Sequence, residues 1–272
     1  MTLLQSIILG IIQGLTEFLP ISSSAHLVIT PYLFNWRIPE QDGFIFDVLV
    51  QLGTLLAVIV YFRRDLWEII RAVIVGIKDR RPFADSQARL GWYILLATVP
   101  AGIFGLLVKN VVEQAFNSPR ATAFFLFGTA LLLILAEVFG RRLRGLDSLT
   151  WKDALWIGLA QAVSVFPGIS RSGSTIAGGM LRNLERPPAA RFSFLMMIPV
   201  MLAAGFLSLL DLVKVPNLSS FLPSVATGFI TAAVVGYLAI HWLLRFLGKR
   251  PLYIFAIYCT AVAVLTLIIS YA

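Results

Sequence analysis

The sequence predicts an all-α integral membrane protein built as an inverted-topology repeat, each half one re-entrant helical hairpin followed by three transmembrane helices. Three observations predict it. The 272-residue chain is 58% hydrophobic and 13% charged, with a mean hydropathy of +0.87, whereas soluble domains carry about a quarter charged residues. A pattern of apolar helix, proline break and serine cluster occurs twice, 148 residues apart. The Lys and Arg side chains fall almost entirely on one side of the threading this pattern implies.

Taken in order, segment 3–19 is apolar and runs into Pro20, and the following 21–34 is too short to span alone. The pair therefore reads as a hairpin that returns to its own side. Spans follow at 44–62, 90–108 and 121–139, each near the roughly 20 residues that cross a hydrocarbon core. Between the first two, 63–89 opens RRDLWEIIRAVIVGIKDRRP. Its mixture of basic and apolar residues predicts an amphipathic interfacial helix ending near Pro82, an anchor for the topology.

The second half repeats the plan: 153–166 runs into its own break, 173–182 is again too short, and spans follow at 192–213, 222–244 and 252–271. The chain thus forms a single membrane domain over 1–272, with repeats of about 1–140 and 150–272. Outside the hairpins the repeat fades to loose pairs such as Phe46/Phe192 and Ala57/Ala203. Cys259 lies within a span and reads as packing; being the lone cysteine, it forms no intrachain disulfide. No positive charge precedes the first apolar run, so no cleavable signal is expected.

Charge sets the orientation. With the N-terminus outside, segments 63–89, 140–152, 182–191 and 245–250 face the cytoplasm and hold 17 of the 22 Lys and Arg residues. Only Arg37, Lys109, Arg120 and Lys214 fall outside, and Arg171 sits within a hairpin. The bias is a positive-inside signal, strengthened by anionic inner-leaflet lipid, so a net charge of +8 needs no nucleic acid partner. Three crossings per half, an odd number, turn the second half upside down relative to the first. Both termini are then external, and inverted repeats bring their broken helices together near the midplane.

The two motifs read GIIQGLTEFLPISSSAH (Gly10–His26) and GLAQAVSVFPGISRSGS (Gly158–Ser174). Gly, Gln, Thr/Ser, Phe, Ile and two Ser recur in register, but Glu17, Ser23 and His26 stand opposite Val165, Arg171 and Ser174. One copy carries an acid, a hydroxyl and an imidazole; the other carries a fixed cation. Glu17 is the one carboxylate well inside an apolar segment, since Asp47, Glu137 and Asp211 lie near span ends, and an ionisable residue at membrane depth is a functional candidate. Gln13, four residues earlier, shares its helix face, and the two oxygens suit a hard divalent cation, although such ions take about six ligands. The alternative is that Glu17 only pairs with Arg171 to fix the fold.

Arg171 stands in PGISRSGST, Pro167–Thr175, at the start of a short apolar helix. Free helix-start N–H groups, serine hydroxyls and a guanidinium together suit a phosphate or carboxylate, and the guanidinium fork holds two oxygens at fixed geometry. Ser22, Ser23, Ser24 and His26 follow Pro20. Ser22 and Ser24 read as groups that satisfy freed backbone, whereas Ser23 and His26 with a nearby acid have the parts for nucleophilic or acid–base work. His241, beside Trp242 and Arg245, reads as an interfacial residue.

The run QGLTE, Gln13–Glu17, with FLPISSSAH up to His26, resembles the Glu/Gln-x-x-x-Glu region of the bacterial undecaprenyl-diphosphatases, the bacitracin-resistance family. Pro167–Thr175 is similar to that family's Pro-Gly-x-Ser-Arg-Ser-x-x-Thr signature, and FDVLVQLG, Phe46–Gly53, agrees as well. The resemblance implies hydrolysis of undecaprenyl diphosphate to undecaprenyl phosphate and phosphate, recycling the lipid carrier of cell-wall polymers. It implies a multi-pass protein of the bacterial inner membrane, an active site open to the outer face, and a divalent metal, Mg²⁺ or Ca²⁺. It puts Glu17, Ser23, His26 and Arg171 on catalytic positions; the chemistry of the residues makes Gln13 and Glu17 the metal candidates and Ser22, Ser24, Gly168, Ser170, Ser172, Gly173 and Thr175 the candidates around the substrate phosphates. Gln13 departs from the Glu of many members.

The expected reaction is attack by Ser23 on phosphorus with His26 as base; attack by His26 or by metal-activated water stays open. A polyprenyl-phosphate flippase on the same scaffold is the rival from another class. A purely structural membrane protein explains neither Glu17 nor Arg171. The sequence leaves monomer and homodimer open.

Overall fold

A computed structural model describes residues 1–36, 38, 40–116, 118–212 and 218–271. Arg37 and Lys214, two of the basic residues assigned to the outer side, lie outside them. Among the described residues the chain forms eleven α-helices: α1 (Leu3–Thr16), α2 (Ser23–Leu33), α3 (Glu40–Tyr61), α4 (Arg63–Lys78), α5 (Ser86–Phe116), α6 (Pro119–Phe139), α7 (Trp151–Val163), α8 (Arg171–Leu181), α9 (Arg186–Leu212), α10 (Leu218–Leu247) and α11 (Tyr253–Tyr271). One 3₁₀ turn, Leu146–Ser148, precedes α7.

Five stretches are long and apolar enough to cross a bilayer: Ser86–Val108, Pro119–Phe139, Arg186–Phe206, Leu222–Leu247 and Tyr253–Tyr271. A sixth arises if Phe46–Tyr61 is taken with Arg63–Lys78, from which it is bent by 76°. That bend separates the expected span from the expected amphipathic helix. The α4 helix turns Ile69 and Gly76 inward and leaves Trp67, Ile70, Ile74 and Ile77 exposed. It ends at Lys78, short of Pro82, because Arg80 adopts φ 54° and the amide of Arg81 returns to the carbonyl of Gly76 at 2.8 Å. Such a left-handed residue closes the last turn and stops the helix before proline can.

The correspondence at an offset of 148 extends beyond the motifs. Thr2 and Thr150 each cap a helix in a reciprocal box, with Gln5 and Asp153 at the third position, which satisfies two amides that a helix start leaves bare. The α2 and α8 helices are 11 residues each and both end on an asparagine in the left-handed region, Asn35 (φ 50°) and Asn183 (φ 67°). Behind each, the next amide returns to the carbonyl five residues back, Trp36 to Pro31 at 2.9 Å and Leu184 to Gly179 at 3.0 Å. Of the looser pairs, Phe46 and Phe192 are both buried, whereas Ala57 is buried and Ala203 exposed.

The halves interlace. Helix α1 packs on α10, and α7 packs on α5, so the first helix of each hairpin rests on a long helix of the opposite half. Small residues permit this. A Cβ on Gly10 would sit 2.7 Å from the carbonyl oxygen of Gly228 in α10, and one on Gly158, its counterpart, 2.5 Å from that of Ala97 in α5. Close backbone approach through small residues is the usual way helices associate where lipid removes the hydrophobic drive. Helices α6 and α11 pack together, as do α3 and α9, and α6 also supports α8 and α2. Phe18, at the first hairpin's tip, meets Phe194 of α9 edge-on with centroids 5.4 Å apart. Lipid-facing surfaces are apolar, with Leu106 and Leu107 the most exposed.

Two buried carboxylates tie the basic ends of the helices. Glu137 accepts from Arg142 at 2.6 Å, Arg186 Nε at 2.7 Å and the amide of Leu252 at 2.8 Å. Asp153 accepts from Arg144 at 2.8 Å and Arg182 at 2.7 Å as well as from Thr150. Both groups are saturated with donors, which offsets their desolvation; removing one partner of such a set costs about 3–5 kcal/mol.

Candidate active site

The hairpin tips meet. In the first, α1 stops at Thr16 and the chain turns through Pro20 and Ile21 before Ser22 caps α2. Ser22 has φ 70°, an uncommon value for a residue with a Cβ, and its hydroxyl receives the Ala25 amide at 3.4 Å. In the second, Gly168 at φ 107° makes the turn, and Ser170 caps α8 from an ordinary φ of −66° with a bond from Gly173 N of 3.0 Å. Only glycine fits at 168, since a Cβ there would meet the carbonyl oxygen of Thr122 at 2.3 Å. Thr129 of α6 pins this turn, donating to the carbonyl of Gly168 and accepting from the amide of Ser170, both at 2.8 Å.

Across the junction Arg171 Nη2 forms an ion pair with Glu17 Oε1, and the Ser172 hydroxyl donates to the Leu19 carbonyl at 3.1 Å. Glu17 is 5% exposed. Its other oxygen, Oε2, accepts from Ser23 Oγ at 2.7 Å and from Gln13 Nε2 at 2.8 Å; Gln13 Nε2 also lies 3.4 Å from Thr54 Oγ1. Gln13 thus orients the carboxylate, while its own Oε1 is buried without a partner.

The tips enclose a cavity of about 190 Å³ lined by residues of both: Thr16, Glu17, Ser22, Ser23 and Ser24 from one, Gln161, Ser164, Val165, Ile169, Ser170 and Arg171 from the other, with Gln51, Ala101 and Val200. Both α2 and α8 begin here. The amides of Ser23, Ser24, Arg171 and Ser172 make no hydrogen bond among the described residues, so two positive helix ends and a guanidinium converge on one space. That is a site for a strongly anionic group.

Other residues singled out by sequence have different surroundings. His26 is buried, but its ring does not face Ser23. Nδ1 lies 2.7 Å from the Ser22 carbonyl and Nε2 lies 2.8 Å from Tyr258 Oη, with the two rings stacked at 5.6 Å. A carbonyl only accepts, so Nδ1 carries the hydrogen and, in the neutral ring, Nε2 receives the Tyr258 hydroxyl. The expected Ser23–His26 pair is therefore replaced by a Ser23–Glu17 pair. Ser22 and Ser24 share a contact of 3.2 Å, and Ser170 and Ser172 one of 3.1 Å. Thr175 donates to the Arg171 carbonyl at 2.7 Å and contacts Ser193 at 2.5 Å, which turns it inward to hold α8 rather than toward the cavity. Gly173 lies against Pro20 of the other tip. His241 stands 3.4 Å from Tyr61 Oη, and Cys259 is buried beside the Pro20 carbonyl.

Sequence reading misses Thr129, Tyr258, Gln51 and Gln161. For Gln161 a signal exists, since it repeats Gln13 in register.

The donor set suits a divalent cation in part. Among the described residues there is no group of three or more His, Cys, Asp or Glu side chains. One carboxylate, Glu17, and the unpartnered carbonyl oxygen of Gln13 lie together. Mg²⁺ is commonly held by one or two carboxylates with the rest of its shell from substrate phosphate and water, so the residues fit an ion that arrives with a diphosphate.

Comparison with known proteins gives a consistent result. The family model described as "Bacitracin resistance protein BacA" matches residues 6–265. A protein of Thermomicrobium roseum named undecaprenyl-diphosphatase is 44% identical over 280 residues, covering 100% of both chains. Proteins of the same name from Chlorobium phaeovibrioides and Myxococcus xanthus are 45% and 42% identical, over 99% of this chain and 97% and 89% of theirs.

Proposed function

This chain belongs to the bacitracin resistance protein BacA family, and from that premise we propose that it is an undecaprenyl-diphosphatase, a membrane phosphatase that hydrolyses undecaprenyl diphosphate to undecaprenyl phosphate and inorganic phosphate. One observation carries the reading: Glu17 with its Ser23 donor and Arg171, from hairpins 148 residues apart, share one cavity where two helix starts converge.

The chemistry follows from those contacts. Arg171 and the bare amides of α2 and α8 hold the terminal phosphate and spread its charge, which phosphoryl transfer needs more than covalent help. Ser23 Oγ attacks phosphorus while its proton passes to Glu17 Oε2, already 2.7 Å away. The bond to the bridging oxygen breaks, and undecaprenyl phosphate departs. The departing undecaprenyl phosphate carries away the proton held by Glu17, which restores the carboxylate; water then attacks the phosphoserine, Glu17 takes one proton from that water, and passes it to Ser23 Oγ as inorganic phosphate leaves. Gln13 keeps the carboxylate aimed at Ser23. His26, tied to Ser22 O and Tyr258, shapes the first turn of α2. A divalent ion, when bound, would be held by Glu17 and the Gln13 carbonyl and would supply further neutralisation of the phosphates.

The inverted repeat with re-entrant hairpins belongs to the same reading. It is supported by the matched caps at 2/150 and 35/183, by the equal lengths of α2 and α8, and by the reciprocal packing of α1 on α10 and α7 on α5. The concentration of Lys and Arg at one end supports an inner-membrane protein with both termini outside and the cavity opening outward. The prenyl tail then lies among the lipid-facing helices.

Purified protein in detergent, given a polyprenyl diphosphate with and without chelator, tests the proposal. Release of phosphate by the wild type and its loss in Glu17→Gln is the expected result. Absence of phosphate release under all metal conditions would overturn it in favour of a carrier.

A further inference from the structure

Gln13 and Gln161 occupy one register position in the two hairpins, and their amides meet different fates. Gln13 gives Nε2 to Glu17. The residue that would receive Gln161 in the same way is Val165, which replaces Glu17 in the second copy and accepts nothing. Gln161 is 2% exposed, and both its Nε2 and Oε1 are buried without a protein partner. It nonetheless lines the cavity shared by Glu17, Ser23 and Arg171. An amide in that state is a standing cost, since each buried donor or acceptor left unpaired is unfavourable by about 1–3 kcal/mol.

Charge balance at the tips says what it is for. Arg171 is already paired with Glu17, so the cavity has no net charge from these two side chains. A diphosphate brings several negative charges and an array of acceptor oxygens, more than one shared guanidinium satisfies. The Gln161 NH₂, carried by α7, adds two donors to the same cavity.

We propose that Gln161 is a substrate-contacting residue: its Nε2 hydrogens bind oxygens of the diphosphate headgroup, free to do so because Val165 stands where the first hairpin has its carboxylate. This rests on the phosphatase reading only for the identity of the anion. The orphaned carbonyl Oε1 then faces the proton donors that accompany such an anion, its bound water or a protonated phosphate oxygen.

The test compares wild type, Gln161→Met and Gln161→Glu in detergent by steady-state kinetics on a polyprenyl diphosphate. Thermal unfolding with and without methylenediphosphonate, a diphosphate that cannot be hydrolysed, supplies a second readout. The methionine variant keeps the volume and removes an unpaired buried amide, so its unliganded melting midpoint should equal or exceed that of wild type. Its KM should rise about tenfold or more, and the stabilisation by methylenediphosphonate should be lost. The glutamate variant, which sets a like charge against phosphate, should raise KM further, about 100-fold. A methionine variant whose KM and methylenediphosphonate response stay within twofold of wild type overturns the proposal, as does one whose midpoint falls by several degrees. A wild type that releases no phosphate but is stabilised by methylenediphosphonate through Gln161 upholds the contact and defeats the phosphatase reading instead.

Discussion

In the first hairpin a strained serine, Ser22 at φ 70°, opens α2; in the second, Ser170 opens α8 from a relaxed φ of −66°, and the unusual backbone is moved to Gly168. The first hairpin brings the carboxylate and the hydroxyl, the second the guanidinium. Away from the tips, at the helix caps and the packing glycines, the two agree: Thr2 with Thr150, Gly10 with Gly158, Asn35 with Asn183. Along the cavity they differ. The matched positions hold the helices, and the ionisable side chains stand where the two motifs differ.

That contrast predicts which matched pairs respond alike and which do not. The largest asymmetry belongs to Glu17 and Val165. Glu17→Gln should lower phosphate release by about 10³-fold or more, the upper range for a general base, while Val165→Ala should stay within about threefold in the same assay. Next is Arg171, where lysine keeps the charge and loses the fork. Arg171→Lys should reduce kcat/KM by about 10- to 100-fold, and near-normal turnover would remove bidentate phosphate binding from the mechanism.

Frame positions should behave as twins. Gly10→Ala and Gly158→Ala each push a methyl into a carbonyl of the opposite half, and each should destabilise the protein by about 1–3 kcal/mol in thermal or denaturant unfolding. Unequal costs would separate the two interfaces. The smallest test has opposite signs. Ser22→Gly relieves a positive φ and gives up only a long cap, so it should raise stability by about 1 kcal/mol, whereas Ser170→Gly gives up a good cap and should lower it by a few tenths.

Sequence reaches the two tips because Glu17 and Arg171 are ionisable residues among apolar segments, and it reaches the helix count because each span is a long apolar run. It does not reach the partner of Ser23. Ser23 and His26 are three residues apart on α2 and so share a face, which suggests a pair. The ring instead turns back to the carbonyl of Ser22 and out to Tyr258, 232 residues away. Thr129 is equally hidden, since an isolated threonine in a span gives no sign that another helix's turn hangs on its hydroxyl. The matched caps are present in the sequence at the same offset, but serine, threonine and asparagine are so common that their meaning appears only with the backbone groups they satisfy.

The crossing of α1 onto α10 and of α7 onto α5 carries a consequence for biogenesis. Neither half of the chain can be completed before the other exists, because the shelf on which the amino-terminal hairpin lies is the second-to-last helix to leave the ribosome. The earliest segment made is thus among the last to be seated. A nascent chain halted before residue 218 should leave that hairpin open to crosslinking by the insertion machinery.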